Sequence, residues 1–123
     1  MDNYIGHCNC GSIKVVLKKK PEQVVVCHCS NCKRAGGPFS MNLFIDDGQW
    51  EIEDEKKTLS EYLDHNTNSG NTVHRFFCKN CGSPIKTTSP SIPDKALIKA
   101  SLFDDIPTNK KEVYSEQALH WNQ

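Results

Sequence analysis

Apolar positions along this chain come in short runs with a period of two, the signature of half-buried strands. Residues 13–17 are apolar and β-branched apart from Lys14, and the run Lys18-Lys19-Lys20-Pro21 ends them in a solvated turn. Three valines at 24–26 form a brief strand that delivers the chain to Cys27. Residues 41–45 alternate as a further strand. Asp46-Asp47-Gly48 then marks a tight turn, after which 50–53 resume with period two. Residues 73–77 run straight into Cys78, and 96–102 lie between Pro93-Asp94 and Asp104-Asp105. Residues 58–64 fit a strand or a short helix, 66–71 read as a loop by composition, and 113–121 follow neither pattern. The expected fold is mainly β: one domain over residues 1–123, made of small antiparallel sheets with cysteines at the strand ends.

Composition adds a constraint. Hydrophobic residues make up only 37% of the 123, which is thin for a domain this small, so bound metal is expected to supplement the core. Lys plus Arg and Asp plus Glu number 15 each, and a zero formal charge argues against a dedicated nucleic-acid binder. No apolar run is long enough to span a bilayer, so no membrane partner is expected. The N-terminal stretch lacks the charged-then-apolar order of a secretory signal. The expected compartment is the cytoplasm, with the nucleus as a second location. In such reducing surroundings clustered thiols serve as metal ligands far more often than as disulfides.

Seven cysteines fall into three groups: Cys8 and Cys10; Cys27, Cys29 and Cys32; Cys78 and Cys81. Thiols this close together converge on one ion, and tetrahedral zinc accepts up to four of them. In Cys10-Gly11 and Cys81-Gly82 a glycine follows the thiol and gives the chain a left-handed exit without a Cβ clash. The likeness of these two turns assigns both pairs to one saturated, structural four-sulfur site. Pairing Cys27 and Cys32 with Cys78 and Cys81 satisfies the spacing equally well. The remaining triplet would leave zinc one position for a substrate, unless His7, His28, His74, Asp104 or His120 fills it. Thiolate donors lower the Lewis acidity of zinc, which points to thiol or C–S bond chemistry rather than proteolysis.

Five segments, GHCNCGSI at 6–13, CHCSNCKR at 27–34, GGPFS at 36–40, FCKNCGSPI at 77–85 and ASLFDD at 100–105, span nearly the whole chain. In their order and spacing the sequence resembles the glutathione-dependent formaldehyde-activating enzyme family, also called the GFA or CENP-V/GFA domain family. The resemblance implies a β architecture shared with a Rab-associated chaperone and with methionine-sulfoxide-reductase-like zinc proteins. It implies two zinc ions: a structural one on Cys8, Cys10, Cys78 and Cys81, and an active one on Cys27, Cys29 and Cys32. The implied activity is that of a carbon–sulfur lyase acting on a small thiol, with formaldehyde and glutathione joined as S-hydroxymethylglutathione or a related thiol reaction. The shared chaperone fold also allows a different reading, a non-catalytic zinc module that binds a protein partner.

Four further expectations concern neighbouring residues. Lys33 and Arg34 are candidates to meet a substrate carboxylate. His28, between two ligands, is expected to project away from their metal as a surface or supporting group. The proton for an alkoxide formed at the site is expected from water or a nearby histidine. His74 and Arg75 alternate faces on one strand, so one of them looks into the site.

Overall fold

The computed structural model describes residues 3–67 and 69–122; Asn68, inside the expected 66–71 loop, lies outside them, as do Met1, Asp2 and Gln123. The described chain is mainly β. A three-stranded antiparallel sheet has the order β1 (Tyr4–His7), β2 (Lys14–Leu17), β5 (Trp50–Glu53). The second sheet has seven strands. β3 (Gln23–Cys27), β4 (Ser40–Asp46) and β9 (Lys95–Lys99) lie at its centre. β8 (Pro84–Thr88), β7 (Val73–Cys78) and β6 (Leu59–Asp64) extend it on one side, and β10 (Asn109–Val113) closes the other edge. One helix, α1 (Ser30–Gly36), lies between β3 and β4.

The expected strands at 24–26, 41–45, 50–53 and 73–77 are all present, and 58–64 resolves as strand rather than helix. Three features depart from the expectation. The large sheet is mixed, because β10 pairs parallel to β3. The strand expected over 96–102 ends at Lys99 and tightens into a 3-10 turn, Ala100–Leu102. The 113–121 segment ends β10 and continues through a 3-10 turn at Ser115–Gln117. β10 reads NKKEV with its first four residues exposed. A polar edge strand of this kind resists pairing with other chains and gives no hydrophobic period to read.

The core is one cluster that takes residues from both sheets. Ile13, Val15 and Leu17 from the small sheet join Leu43, Ile45, Ile85, Ala96 and Ile98 from the large one. Burying each larger aliphatic side chain is worth about 1.5–3 kcal/mol. The ring of Tyr4 stacks on Phe103 with centroids 4.2 Å apart, and the Tyr4 hydroxyl donates to the Asp105 carbonyl. Between these contacts β1 runs so close to the Ala100–Leu102 turn that only glycine fits. A Cβ on Gly6 would lie 2.6 Å from the Leu102 carbonyl oxygen, a backbone atom that cannot swing aside. Gly6→Ala is therefore expected to cost about 3 kcal/mol, read as a lower urea midpoint at unchanged slope. An unchanged midpoint would show that β1 can retreat from the turn.

Candidate functional site

The seven cysteines are free thiols and gather into two clusters, one of four and one of three. In the first, the Sγ atoms of Cys8, Cys10, Cys78 and Cys81 lie within 4.8 Å of one another. Cys10 Sγ is 3.6 Å from that of Cys8 and 3.8 Å from that of Cys78. A zinc tetrahedron with bonds of 2.3 Å has S···S edges of about 3.8 Å, so this donor set fits the ion. The exits are as expected: Gly11 and Gly82 have φ of +79° and +81°. The Gly11 and Gly82 amides donate to the Cys8 and Cys78 carbonyls.

Two hydroxyls that the sequence reading did not single out support the four-sulfur cluster. Ser12 Oγ lies 3.1 Å from Cys10 Sγ, 3.4 Å from Cys78 Sγ and 2.8 Å from Thr58 Oγ1. Hydrogen bonds from Ser12 and Asn80 bring Cys10 down to about 5. Burial opposes ionisation of Cys78, yet bonds from Ser12 and Thr58 bring it down to about 7. Burial keeps Cys8 raised. Part of the cluster is thus already thiolate at neutral pH, which lowers the proton cost of taking a metal.

The second cluster is built by the end of β3 and the start of α1. Cys27, Cys29 and Cys32 bring their Sγ atoms within 4.8 Å, a donor set that also fits a soft divalent ion such as zinc. Cys29 is the N-cap of α1: its Sγ accepts from the Cys32 amide at 3.3 Å. The helix ends where Gly37 takes φ +93°, a conformation glycine adopts without strain. The hydrogen bond to Cys32, then burial, raise Cys27; burial, then Cys32, raise Cys29. Cys32 takes the opposite shift, down to about 5, through hydrogen bonds from Cys27, Ser40 and Cys29 and the nearby charge of Lys99. Without metal, the triplet therefore shares its protons so that Cys32 carries the negative charge.

Among the described residues, no histidine or carboxylate joins these three sulfurs. His7 bonds the Cys8 carbonyl, His74 pairs with Glu61 at 2.8 Å, and Asp104 and His120 are exposed. His28 points away from the sulfurs but is not on the surface. Its ring is 1% exposed, sits edge-on to Phe39, and places Nε2 3.0 Å from Glu112 Oε1. Its Nδ1 is buried without a partner among the described residues.

A cavity of about 190 Å³ opens on the triplet and reaches Cys27, Cys29 and Cys32 but none of the other four cysteines. Its floor is one face of the large sheet. The registers put Phe44, Leu97, Thr87 and Arg75 in one row across β4, β9, β8 and β7, with Val25, Asn42 and Lys99 in the next row. Lys99 is 5% exposed and donates to Asn42 Oδ1 at 2.6 Å, while Asn42 Nδ2 donates to Ser40 Oγ at 3.0 Å. Burial brings Lys99 down to about 8, against the pull of the thiolate at Cys32.

Arg75 is held beside the cysteine loop by Asp64. Asp64 Oδ2 accepts from Arg75 Nε and from Asn31 Nδ2, each at 2.8 Å, and Asn31 also donates to the Asn66 carbonyl at 2.7 Å. Burial alone would raise Asp64, but the Asn31 and Arg75 bonds outweigh it and hold the carboxyl below its usual range. Lys33 and Arg34 do not line the cavity. Lys33 Nζ donates to the Gln117 carbonyl at 2.5 Å, Arg34 is exposed, and both belong to the last turn of α1. Cations there complement the helix dipole. The expectation that they meet a substrate carboxylate is corrected: the cations on the cavity are Arg75 and Lys99.

A β-sheet protein with one sealed and one open cysteine cluster, each fit to hold a metal ion, is the class these features define. The chain belongs to the glutathione-dependent formaldehyde-activating enzyme family, whose pattern matches residues 3–122. It is 26% identical over 107 residues to an uncharacterized lyase of Schizosaccharomyces pombe, covering 86% of this chain and 72% of that protein. Its fold is similar to that of a Rhodobacter sphaeroides protein known from a crystal structure, with TM-score 0.67 at 17% identity. That match covers 89% of this chain and 99% of the other. No helix among the described residues is long and apolar enough to cross a membrane.

Two outcomes follow from this geometry. Asp64→Ala leaves Arg75 without its buried partner and is expected to cost about 3 kcal/mol in chemical denaturation. A loss below about 0.5 kcal/mol would show that solvent replaces the carboxylate. Cys78→Ser is expected to lose metal and the cooperative unfolding transition together, followed by zinc analysis and circular dichroism. A cooperative transition retained in the metal-depleted variant would remove the staple role from this cluster.

Proposed function

We propose that the chain is an enzyme that makes or breaks a carbon–sulfur bond between a small thiol and an aldehyde, with glutathione and formaldehyde as the leading pair. The reading rests on one observation above the others: the cavity opens on the three-cysteine cluster alone. Membership of the family and the likeness to a protein named as a lyase support it. In this reading the chain carries two zinc ions, a structural one on Cys8, Cys10, Cys78 and Cys81 and a catalytic one on Cys27, Cys29 and Cys32. Bound to the three thiolates, zinc would keep a substrate thiol deprotonated at neutral pH.

The chain's own residues supply the rest. Asn31, fixed by Asp64 and Asn66, holds the cysteine loop in place. Val25, Phe44 and Leu97 give the cavity apolar wall, which excludes water from a reactive carbonyl. The substrate sulfur adds to the carbonyl carbon and forms the C–S bond. The π pair moves to oxygen, and that oxygen takes one proton. Lys99 Nζ lines the cavity and holds a proton it releases more readily than an exposed lysine, so it is assigned as the donor in place of a histidine. The reverse sequence cleaves the bond and returns thiol and aldehyde.

Cys29→Ser tests the assignment. Turnover of formaldehyde with glutathione is expected to vanish and bound zinc to fall from about two per chain to about one, while the circular dichroism spectrum is kept. Full activity in this variant would overturn the reading.

A further inference from the structure

We propose that Arg75 is the subsite that holds a carboxylate of the thiol substrate, which makes it a specificity-determining residue. The inference rests on the thiol reading above and extends it to the other end of the substrate. The cavity is walled by aliphatic and aromatic side chains and small hydroxyls, and its lining residues include two cations and no carboxylate. Among the described residues Lys99 has one hydrogen-bond partner, a neutral amide oxygen, and it is almost fully buried. The Arg75 side chain is 16% exposed, and among the described residues only its Nε is engaged, by Asp64. Asp64 Oδ2 is shared with Asn31, and Asp64 Oδ1 accepts from the Asn66 amide at 3.3 Å. The Nη groups of Arg75 therefore keep their donors for something else.

Geometry says what that is. The Asp64 bridge locks Arg75 to the loop that carries Cys29 and Cys32, so the distance between the thiol end and the cation end of the cavity is fixed. The sheet register then brings Arg75 and Lys99 onto the same face from neighbouring rows. A guanidinium held by its Nε presents a planar pair of Nη donors, the fork that matches a carboxylate. Leaving guanidinium donors unpaired on a largely apolar cavity is costly unless an anion completes them. Asp64 stands against the Nε side of Arg75 and the sulfurs of the triplet stand near Lys99, while the Arg75 Nη donors have no partner among the described residues. A peptide-like thiol, with its sulfur toward the triplet and a carboxylate on Arg75, meets both ends.

The test compares glutathione with its two monoethyl esters, each masking one carboxylate, on the zinc-loaded protein. One ester is expected to lose about tenfold or more in affinity by calorimetry and in kcat/KM, the effect of removing one charge-assisted hydrogen-bonded pair. In Arg75→Met that discrimination is expected to collapse toward one, and Arg75→Lys to restore part of it. Arg75→Met/Asp64→Asn guards against misfolding, because it leaves no lone buried carboxylate, and the ester comparison on the unaltered chain needs no variant. Turnover of acid and both esters at equal efficiency would overturn the subsite and leave the reaction reading intact. Ester discrimination in binding without turnover would keep the subsite and overturn the reaction. Equal binding of all three, or discrimination unchanged in Arg75→Met, would also overturn the proposal.

Discussion

The rest of the structure depends on four sulfurs meeting at one point. Cys8 and Cys10 lie in the turn between β1 and β2; Cys78 ends β7 and Cys81 lies in the turn that leads to β8. Drawing them together joins the small sheet to the large one across a sequence separation of 68. Closing a long loop is where a metal clip removes most freedom from the unfolded chain. The polar supports are aligned with that joint. Asp54 accepts from the amides of Thr58 and Leu59, at 2.8 and 3.1 Å, and so presents the Thr58 hydroxyl to Ser12 and Cys78. A chain with few apolar residues has reason to invest in such a joint, because packing alone leaves a domain of this size marginal.

β7 carries this constraint into the open site. It ends in Cys78 at the joint, and three residues earlier it places Arg75 on the cavity. The pairing of β7 with β8 shifts register between Phe76 and Phe77, so the irregularity lies between the two functions. Such a bulge re-aims side chains at the end of a strand without disturbing the rest of the ladder. Rigidity at the sealed cluster thus fixes where one cation of the open site stands, and a rigid strand positions a functional group better than a free loop does.

What the sequence made legible follows from how local each signal is. The cysteine clusters were readable because ligand spacing and the glycine exits are short-range features, and the structure brings together the same two groups. The strands with β-branched runs were readable for the same reason. β8, reading PIKTT, was not singled out, because only Ile85 and Thr87 are fully buried and a proline opens it. β10 escaped because an exposed, lysine-rich edge has no hydrophobic period. The roles of Asp64 and Lys99 depend on cross-strand register, which no local window contains. A trace of Lys99 was nonetheless present, as a lysine inside the apolar run 96–102. Lys33 and Arg34 were misleading because nearness in sequence to Cys32 was read as nearness to the substrate, while the helix turns them elsewhere.

The two cysteine clusters use the same side chain for opposite ends, and the difference lies in what surrounds them. At the four-sulfur cluster the donors already number the four a tetrahedral ion takes, and hydroxyls and backbone amides support them, as in the 3.3 Å bond from the Ile13 amide to Cys8 Sγ. Nothing there is left for a ligand to satisfy. At the open cluster three sulfurs face a cavity whose other charges are positive, Lys99 deeply buried and Arg75 partly so. Buried cations destabilise a fold unless anions stand near them, and among the described residues the thiols of the triplet and Asp64 do so. A protein selected for stability alone would replace Lys99 with an aliphatic side chain, since the strand around it is apolar. Under the thiol reading proposed above, a lysine buried on the face that carries Cys27 would serve an anionic thiol, which a second staple would not require.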